Sequence, residues 1–438
     1  MIQTQAKLGP EASPRAMGIL LFLTLLNILN MVDRTLITSF GTAIIADLRL
    51  SDSQFGLLTG PIFVFFYSIM GLFMGALADR VHRPRLILAG LVLWSALTAV
   101  SGMAKSFAHI GIARLFIGVG ESAMAPSALS MIADMFPKAK RGTATGIYYL
   151  GVPLGAGGSF IVAGIFGPII GWRNCFFVLG AMGLLLALVL LLVKDPKRGA
   201  MEEGQAVVEG DQADDLVSGN WRHIIIDVYL VVKSTPALLW TMIGAVFLHI
   251  PMGAGHFAIV WLERERGFGL GEISAVYGLI YIVFGTAGTF LGGILSDWYQ
   301  ARFKGGRVRF SAYLMLGIAP LLVSYRFVDP SSSLFYMGMA AGMFSVSSFY
   351  GPAFSTVQDL TPVRLRGVMT GLLLAACNLL GMGIGAMMTG ILSDVFSANH
   401  IIEPLTKALL TADVLAWVAP TSFIIASVHI ERQKAKSL

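Results

Sequence analysis

The sequence predicts an all-α integral membrane protein of twelve transmembrane helices arranged as two bundles of six. Three observations predict it. Hydrophobic residues make up 56% of the 438 and charged residues only 13%, about half the ~25% charge typical of soluble chains, and mean hydropathy is +0.76. The apolar residues gather into twelve runs of helical length, close to or longer than the ~20 residues that cross a bilayer. Two blocks of sequence in the first six runs recur in the last six. A soluble enzyme, a nucleic-acid binder and a disordered scaffold are excluded on composition.

The first run, about 17–46, carries Asp33 and Arg34 in its middle and has no small-residue cleavage pattern. It reads as a retained span rather than a signal peptide. Runs two to six follow at about 54–78, 86–104, 108–133, 143–168 and 174–193, parted by short polar or Gly/Pro breaks. Lys194 to about Asn220 then breaks the pattern with Glu202, Glu203, Glu209, Asp211, Asp214 and Asp215, a stretch too polar to pack, and reads as a linker. From Trp221 to Lys233 apolar residues mix with Arg222, His223, Asp227 and Lys233, as in a helix lying on the bilayer surface. Runs seven to twelve fall at about 236–262, 273–296, 310–327, 333–358, 367–392 and 408–429. The expected organisation is therefore an N-terminal bundle over 1–193, a cytoplasmic linker with its interfacial helix over 194–235, and a C-terminal bundle over 236–438.

Charge sorts the loops by side. With the N-terminus inside, 22 of the 31 Lys and Arg fall on cytoplasmic segments and 7 on outer ones. This bias predicts a multi-pass protein of a cell (inner) membrane with both termini and the linker in the cytoplasm. The basic balance then needs no nucleic-acid partner. Cys175 and Cys377 lie in apolar runs without ligand spacing, so neither a disulfide framework nor a metal site is expected. The glycine clusters, such as Gly118-Val-Gly120, follow no strand and carry no Lys-Ser/Thr; they read as close helix contacts rather than phosphate loops, and no cofactor is expected.

The internal repeat is specific. Asp134-Met-Phe-Pro137-Lys-Ala-Lys-Arg141-Gly142 matches Asp359-Leu-Thr-Pro362-Val-Arg-Leu-Arg366-Gly367, and Gly75-Ala-Leu-Ala-Asp79 matches Gly293-Ile-Leu-Ser-Asp297. Parallel halves of six spans are the architecture of one large transporter class.

Gly75-x-x-x-Asp79-Arg80-Val81-His82-Arg83-Pro84-Arg85 resembles the loop signature of the major facilitator superfamily, with His82 where the family usually has Gly. Arg114-x-x-x-Gly118-x-Gly120-Glu121 resembles the fourth-span motif of its proton-coupled members. Asn30-Met-Val-Asp33-Arg34, Gly118-Val-Gly120-Glu121-Ser122 and Tyr148-Tyr149-Leu-Gly151 are similar to the spinster branch, which is associated with export of sphingolipid and lysophospholipid species. Asp-Arg in the first span also occurs in the organic-anion symporter branch. For gating, the readable set is Gly75, Asp79, Arg80, Arg83, Arg85 and Asp297: an aspartate at a helix end is able to pair with arginines and cap neighbouring helices in one conformation and release them in the other. The alternative is that these arginines only orient the chain.

Four charges sit inside runs: Asp33 and Arg34 in the first, Arg114 and Glu121 in the fourth. Each unpaired charge costs at least ~2.5–3.5 kcal/mol in a bilayer, so the four must face water or one another. Arg114 and Glu121 are two helical turns apart and share a face. In the superfamily's fold these spans line the central cavity, so the resemblance lets Arg34 reach Glu121 and Asp33 approach Arg114. One reading is a static salt-bridge network. The other is a switch, with Glu121 and then Asp33 as proton carriers, Arg34 capturing an anionic head group and Arg114 organising the carboxylates. His249 and His256 are seven apart in span seven; either is able to assist, or to be a packed polar residue. Asn30, Tyr148 and Tyr149 are further candidates for substrate hydrogen bonds, or for helix-to-helix contacts.

The expected function is proton-coupled export of an amphipathic anionic lipid-like substrate, a lysolipid or sphingoid phosphate, by a monomer working through alternating access. The alternative is an organic-anion/proton symporter that imports small sugar acids. No catalytic triad or metal cluster supports an enzyme. The partners implied are substrate, protons and membrane lipids.

Overall fold

A computed structural model describes residues 14–199, 201 and 221–436. Lys7 and the acidic linker residues from Glu202 to Asp215 lie outside the described residues. Among the described residues, ten helices are long and apolar enough to cross a bilayer. One of them, Lys140–Leu190, has 51 residues, which at 1.5 Å per residue is more than twice the ~30 Å hydrocarbon thickness. It bends at Gly171 (φ 76°, ψ 160°), a conformation suited to glycine, and so supplies spans five and six. The segment from Ser333–Ser348 through Tyr350–Leu360, divided at Phe349, is span ten. Twelve spans result among the described residues.

Span boundaries follow local chemistry. Span two, Asp52–Ala78, starts on a capping box in which the Ser51 hydroxyl accepts from Gln54 N–H and the Gln54 side chain accepts from Ser51 N–H. Span three, Arg83–Ser101, has Pro84 in its first turn, where a missing N–H costs nothing. Ser106 caps span four, Phe107–Met135. Spans seven, eight, nine, eleven and twelve are Pro236–Glu265, Leu270–Arg302, Gly306–Ser324, Arg366–Ala398 and Pro404–Gln433. The amphipathic helix Trp221–Ser234 precedes span seven, with Ile225, Ile226, Tyr229 and Leu230 exposed. Arg364 in the loop between spans ten and eleven bonds its Asp227.

The duplicated motif makes the same contact twice. Arg141 Nε donates to the Phe136 carbonyl at 3.0 Å and Arg366 Nε donates to the Thr361 carbonyl at 3.3 Å. Both arginines thereby satisfy a carbonyl in the turn that enters the next span.

One end of the molecule carries the basic loops around residues 80–85, 138–141, 302–309 and 364–366; the halves meet closely toward the other. Span five lies backbone to backbone on span eight: a Cβ on Gly157 would stand 2.5 Å from the Gly278 carbonyl oxygen, and one on Gly278 2.4 Å from that of Gly157. Span two approaches span eleven equally closely, with a Cβ on Gly56 2.5 Å from Ala386 O. At the non-basic end Asp394 of span eleven accepts from the backbone N–H of Asp52 (3.1 Å) and of Ser53 (2.8 Å). Asp52 in turn accepts from Arg264 Nη1 (2.8 Å) and the Ser393 hydroxyl (2.7 Å). Carboxylates from both halves thus interlock over the start of span two, where the helix dipole favours negative charge.

Candidate functional site

Span one, Pro14–Ser39, presents Asp33 and Arg34, and span four presents Arg114 and Glu121 from one face. Asp33, Arg114 and Glu121 are 4%, 5% and 1% exposed, while Arg34 is partly accessible. Gly118, between Arg114 and Glu121 on that face, brings span four against the backbone of span two: a Cβ there would lie 3.0 Å from Phe63 O and 3.2 Å from Tyr67 N. Phe63 and Tyr67, one turn apart, stack with centroids 5.5 Å apart.

The four charges come together, though not as the ion pairs expected from sequence. Asp33 lies in the field of Glu121 and Arg114, and Glu121 in the field of Arg34 and Arg114. Yet all four carboxylate oxygens are buried without a hydrogen-bond partner, and no ion pair within 4.0 Å joins the quartet among the described residues. Trp94 Nε1 is near Asp33 but outside hydrogen-bond geometry. The guanidiniums lie against rings instead. Arg34 is 4.8 Å from the Phe63 centroid and 4.5 Å from that of Tyr67, and Arg114 is 4.3 Å from Phe63. Arg114 Nη2 donates to the Arg34 carbonyl at 2.7 Å, so this arginine bridges spans four and one rather than clasping a carboxylate.

The remaining candidates divide. His256 lies in the field of both arginines and its Nδ1 is buried without a partner, whereas His249 is occupied by the Ala245 carbonyl and the Tyr350 hydroxyl. Tyr148 is buried with a free hydroxyl, Tyr149 is 44% exposed, and their rings meet edge to face at 5.3 Å. Asn27 donates to the Tyr148 carbonyl at 2.9 Å, tying span one to span five. The Asn30 amide nitrogen is buried and unbonded.

The gating set is rearranged. Asp79 caps the end of span two, exposed, and makes no ion pair among the described residues; Arg80 and Arg85 are also exposed, and the space beside Gly75 is open. Arg83 instead is fully buried. Its guanidinium bonds Asp134, Asp195 (2.8 Å), Ser130 (2.9 Å) and the Pro196 carbonyl (2.7 Å), so it ties span three to span four and to the chain leaving span six. In the second half Arg307 takes both Asp297 (2.6 Å) and Asp359 (2.7 Å), the repeat partners of Asp79 and Asp134.

Sequence reasoning missed the Phe63–Tyr67 platform and the Asp394 clasp. Two aromatics in an apolar run carry no signal of their own. Asp394 did carry one: Gly390-Ile-Leu-Ser-Asp394 repeats Gly293-Ile-Leu-Ser-Asp297 residue for residue.

The arrangement fits what comparison shows. The Major Facilitator Superfamily model matches residues 23–386. An MFS-type efflux pump of Mycolicibacterium smegmatis is 27% identical over 92% of this chain and 89% of its own length. Protein spinster homolog 3 of Danio rerio is 25% identical over 94% and 85%. A solved bacterial homolog of the human lysosomal transporter spinster, inward-facing and unoccupied, superposes with a TM-score of 0.81 at 26% identity, covering 96% of this chain and 98% of that one. Buried charges in spans one and four, a duplicated loop signature and this set of relatives carry one conclusion: the chain belongs to the Major Facilitator Superfamily, as a spinster-like, multi-pass secondary transporter of a small-molecule substrate and not an enzyme.

Proposed function

We propose that the protein exports an amphipathic anionic lipid-like molecule, a lysolipid or sphingoid phosphate, in a proton-coupled alternating-access cycle. Bundles 1–193 and 236–438, joined by 194–235, rock about the central charges. The basic end faces the cytoplasm of a cell (inner) membrane, as the surplus of Lys and Arg there supports, and the clasp at Asp52 closes the outer end. The similarity to an efflux pump supports the outward direction, and the spinster resemblance supports the cargo.

The observation that carries the reading is the pair of buried, unbonded carboxyls beside two guanidiniums held elsewhere. A charged carboxylate without a partner is costly away from water. A proton removes that cost, and so does a guanidinium that turns toward the carboxylate. Swinging Arg34 between Glu121 and an anionic head group therefore couples the two: when the head group takes the guanidinium, Glu121 takes up a proton. Glu121 is the principal proton carrier and Asp33 the second; Arg34 takes the head group, with Arg114, Asn30, Tyr148, Tyr149 and His256 around it.

The test is transport of labelled lysophosphatidate by proteoliposomes under an imposed pH gradient. Glu121→Gln is expected to abolish gradient-driven transport while the protein stays folded, and Arg34→Ala to weaken binding of the anionic probe. Full gradient-driven activity in Glu121→Gln overturns the proton assignment. Competition by hexuronates rather than by long acyl chains overturns the cargo.

A further inference from the structure

Two guanidiniums sit 4.8 and 4.3 Å from the centre of one phenyl ring while two carboxylates in their field remain unbonded. Oppositely charged groups sharing one buried site would ordinarily close into ion pairs, since a bidentate arginine–carboxylate bond is among the strongest polar contacts. Something must hold the arginines. Arg34 donates no hydrogen bond to a described residue, so its contacts are the faces of Phe63 and Tyr67. Arg114 spends Nη2 on the Arg34 carbonyl, and its Nε is buried without a partner.

We propose that Phe63 is a positioning residue for proton exchange: its ring, backed by Tyr67, holds both guanidiniums by their faces and so keeps Glu121 and Asp33 unpaired. The inference rests on the proton-carrier reading above. A ring quadrupole suits this task because it attracts a cation without neutralising it. It leaves the N–H edges of the guanidinium free for an incoming anion, whereas a carboxylate partner would occupy them. Gly118 fixes the platform, since any side chain there would push span four from the backbone at Phe63 and Tyr67.

The charged groups facing the carboxylates are the two arginines and the carboxylates themselves. The other titratable groups about the arginines are His256 of span seven, Tyr67 of span two, Tyr281 of span eight and Tyr350 of span ten, with Tyr148 and Tyr149 of span five beside Tyr67. None is a second cation holder for Arg114, whose one aromatic contact among the described residues is Phe63.

The test is labelling of the full-length protein in vesicles by a hydrophobic carbodiimide, which reacts with protonated carboxylic acids, read at Glu121 and Asp33 by mass spectrometry. Phe63→Leu keeps an apolar side chain but has no quadrupole, so the arginines are free to pair and labelling near neutral pH is expected to fall about tenfold, with the half-labelling pH moving about one unit to acid. Phe63→Tyr is expected to label within about twofold of the unaltered protein. If Phe63→Leu does not fold, trifluorophenylalanine at position 63, which keeps the shape and weakens the quadrupole, is expected to reproduce the loss. Labelling of Phe63→Leu equal to that of the unaltered protein overturns the proposal, as does an equal loss in Leu and Tyr variants, which marks a packing role. Labelling requires no substrate: a protein that moves no lysophosphatidate yet shows the Phe63 dependence loses the cargo reading and keeps this one.

Discussion

Replacing Asp394 by alanine is expected to open the end of the molecule now closed. Its carboxylate accepts from two successive backbone N–H groups at the start of span two and from the Ser53 hydroxyl, a helix-capping contact made from the other half of the chain. Hydrogen bonds to a charged acceptor contribute about 1.5–3 kcal/mol each, but the site is partly exposed and water takes over some of them on opening. Counting one such bond and one cap with its dipole interaction, about 1 kcal/mol, leaves about 3 kcal/mol, roughly a hundredfold in the ratio of closed to open. Minor states of transporters and enzymes commonly lie at ~0.1–10%, so a hundredfold shift makes the open arrangement a substantial population. The assay is the distance between spin labels on Ala46→Cys and Asn399→Cys, exposed positions on either side of the seam; the native Cys175 and Cys377 are buried. Asp394→Ala is expected to add a longer distance and Asp394→Asn, which keeps an acceptor oxygen, to fall between. A distribution unchanged in a folded Asp394→Ala protein refutes the reasoning and assigns closure to the glycine seams alone.

Arg83→Ala is expected to lower stability by about 3–5 kcal/mol, because it strands Asp134 and Asp195 around an emptied buried site. Arg83→Lys should not rescue it, since four separate acceptors use the planar fork, whereas Arg80→Ala and Arg85→Ala should stay within about 0.5 kcal/mol; thermal denaturation in detergent compares them. Glu403, which receives 2.8 Å and 3.2 Å bonds from Arg266 at the closed end, is held below the ordinary carboxylate range by those bonds. A depressed carboxyl contributes stability above its unfolded value, ~4.3 for Glu, that is lost only as pH falls through the folded value. The small deficit of Glu403→Gln should therefore be equal at about pH 8 and pH 5 and shrink below about pH 4; a deficit that varies between 5 and 8 contradicts it.

How much of the site could be read from sequence depends on what each group costs in a membrane. Asp33, Arg34, Arg114 and Glu121 stood out because charge inside an apolar run is expensive and hence rare, and two helical turns place the last two on one face. Their partners did not stand out, because the arginines rest on neutral rings. A Phe four residues before a Tyr in a run with many aromatics has no cost to mark it. Likewise the arginines near Asp79 were legible as a group, but not that Arg83 alone would be swallowed by Asp195 and Pro196, which arrive from 112 and 113 residues further along the chain.

The two Gly-Ile-Leu-Ser-Asp pentapeptides show where composition stops. Each ends near the far end of a span, one in span eight running toward the basic end, the other in span eleven running away from it. At the basic end Asp297 bonds Arg307 within its own half, and Asp79, its repeat partner, makes no ion pair among the described residues. At the closed end Asp394 reaches across to cap the other half. The same five residues therefore hold a neighbour in one place and a partner bundle in the other. What each aspartate holds is set by the end of the molecule at which its span finishes, which a pattern of five residues does not encode. The chemistry common to both sites is an aspartate, which takes a guanidinium at one end and the free N–H groups of a helix start at the other.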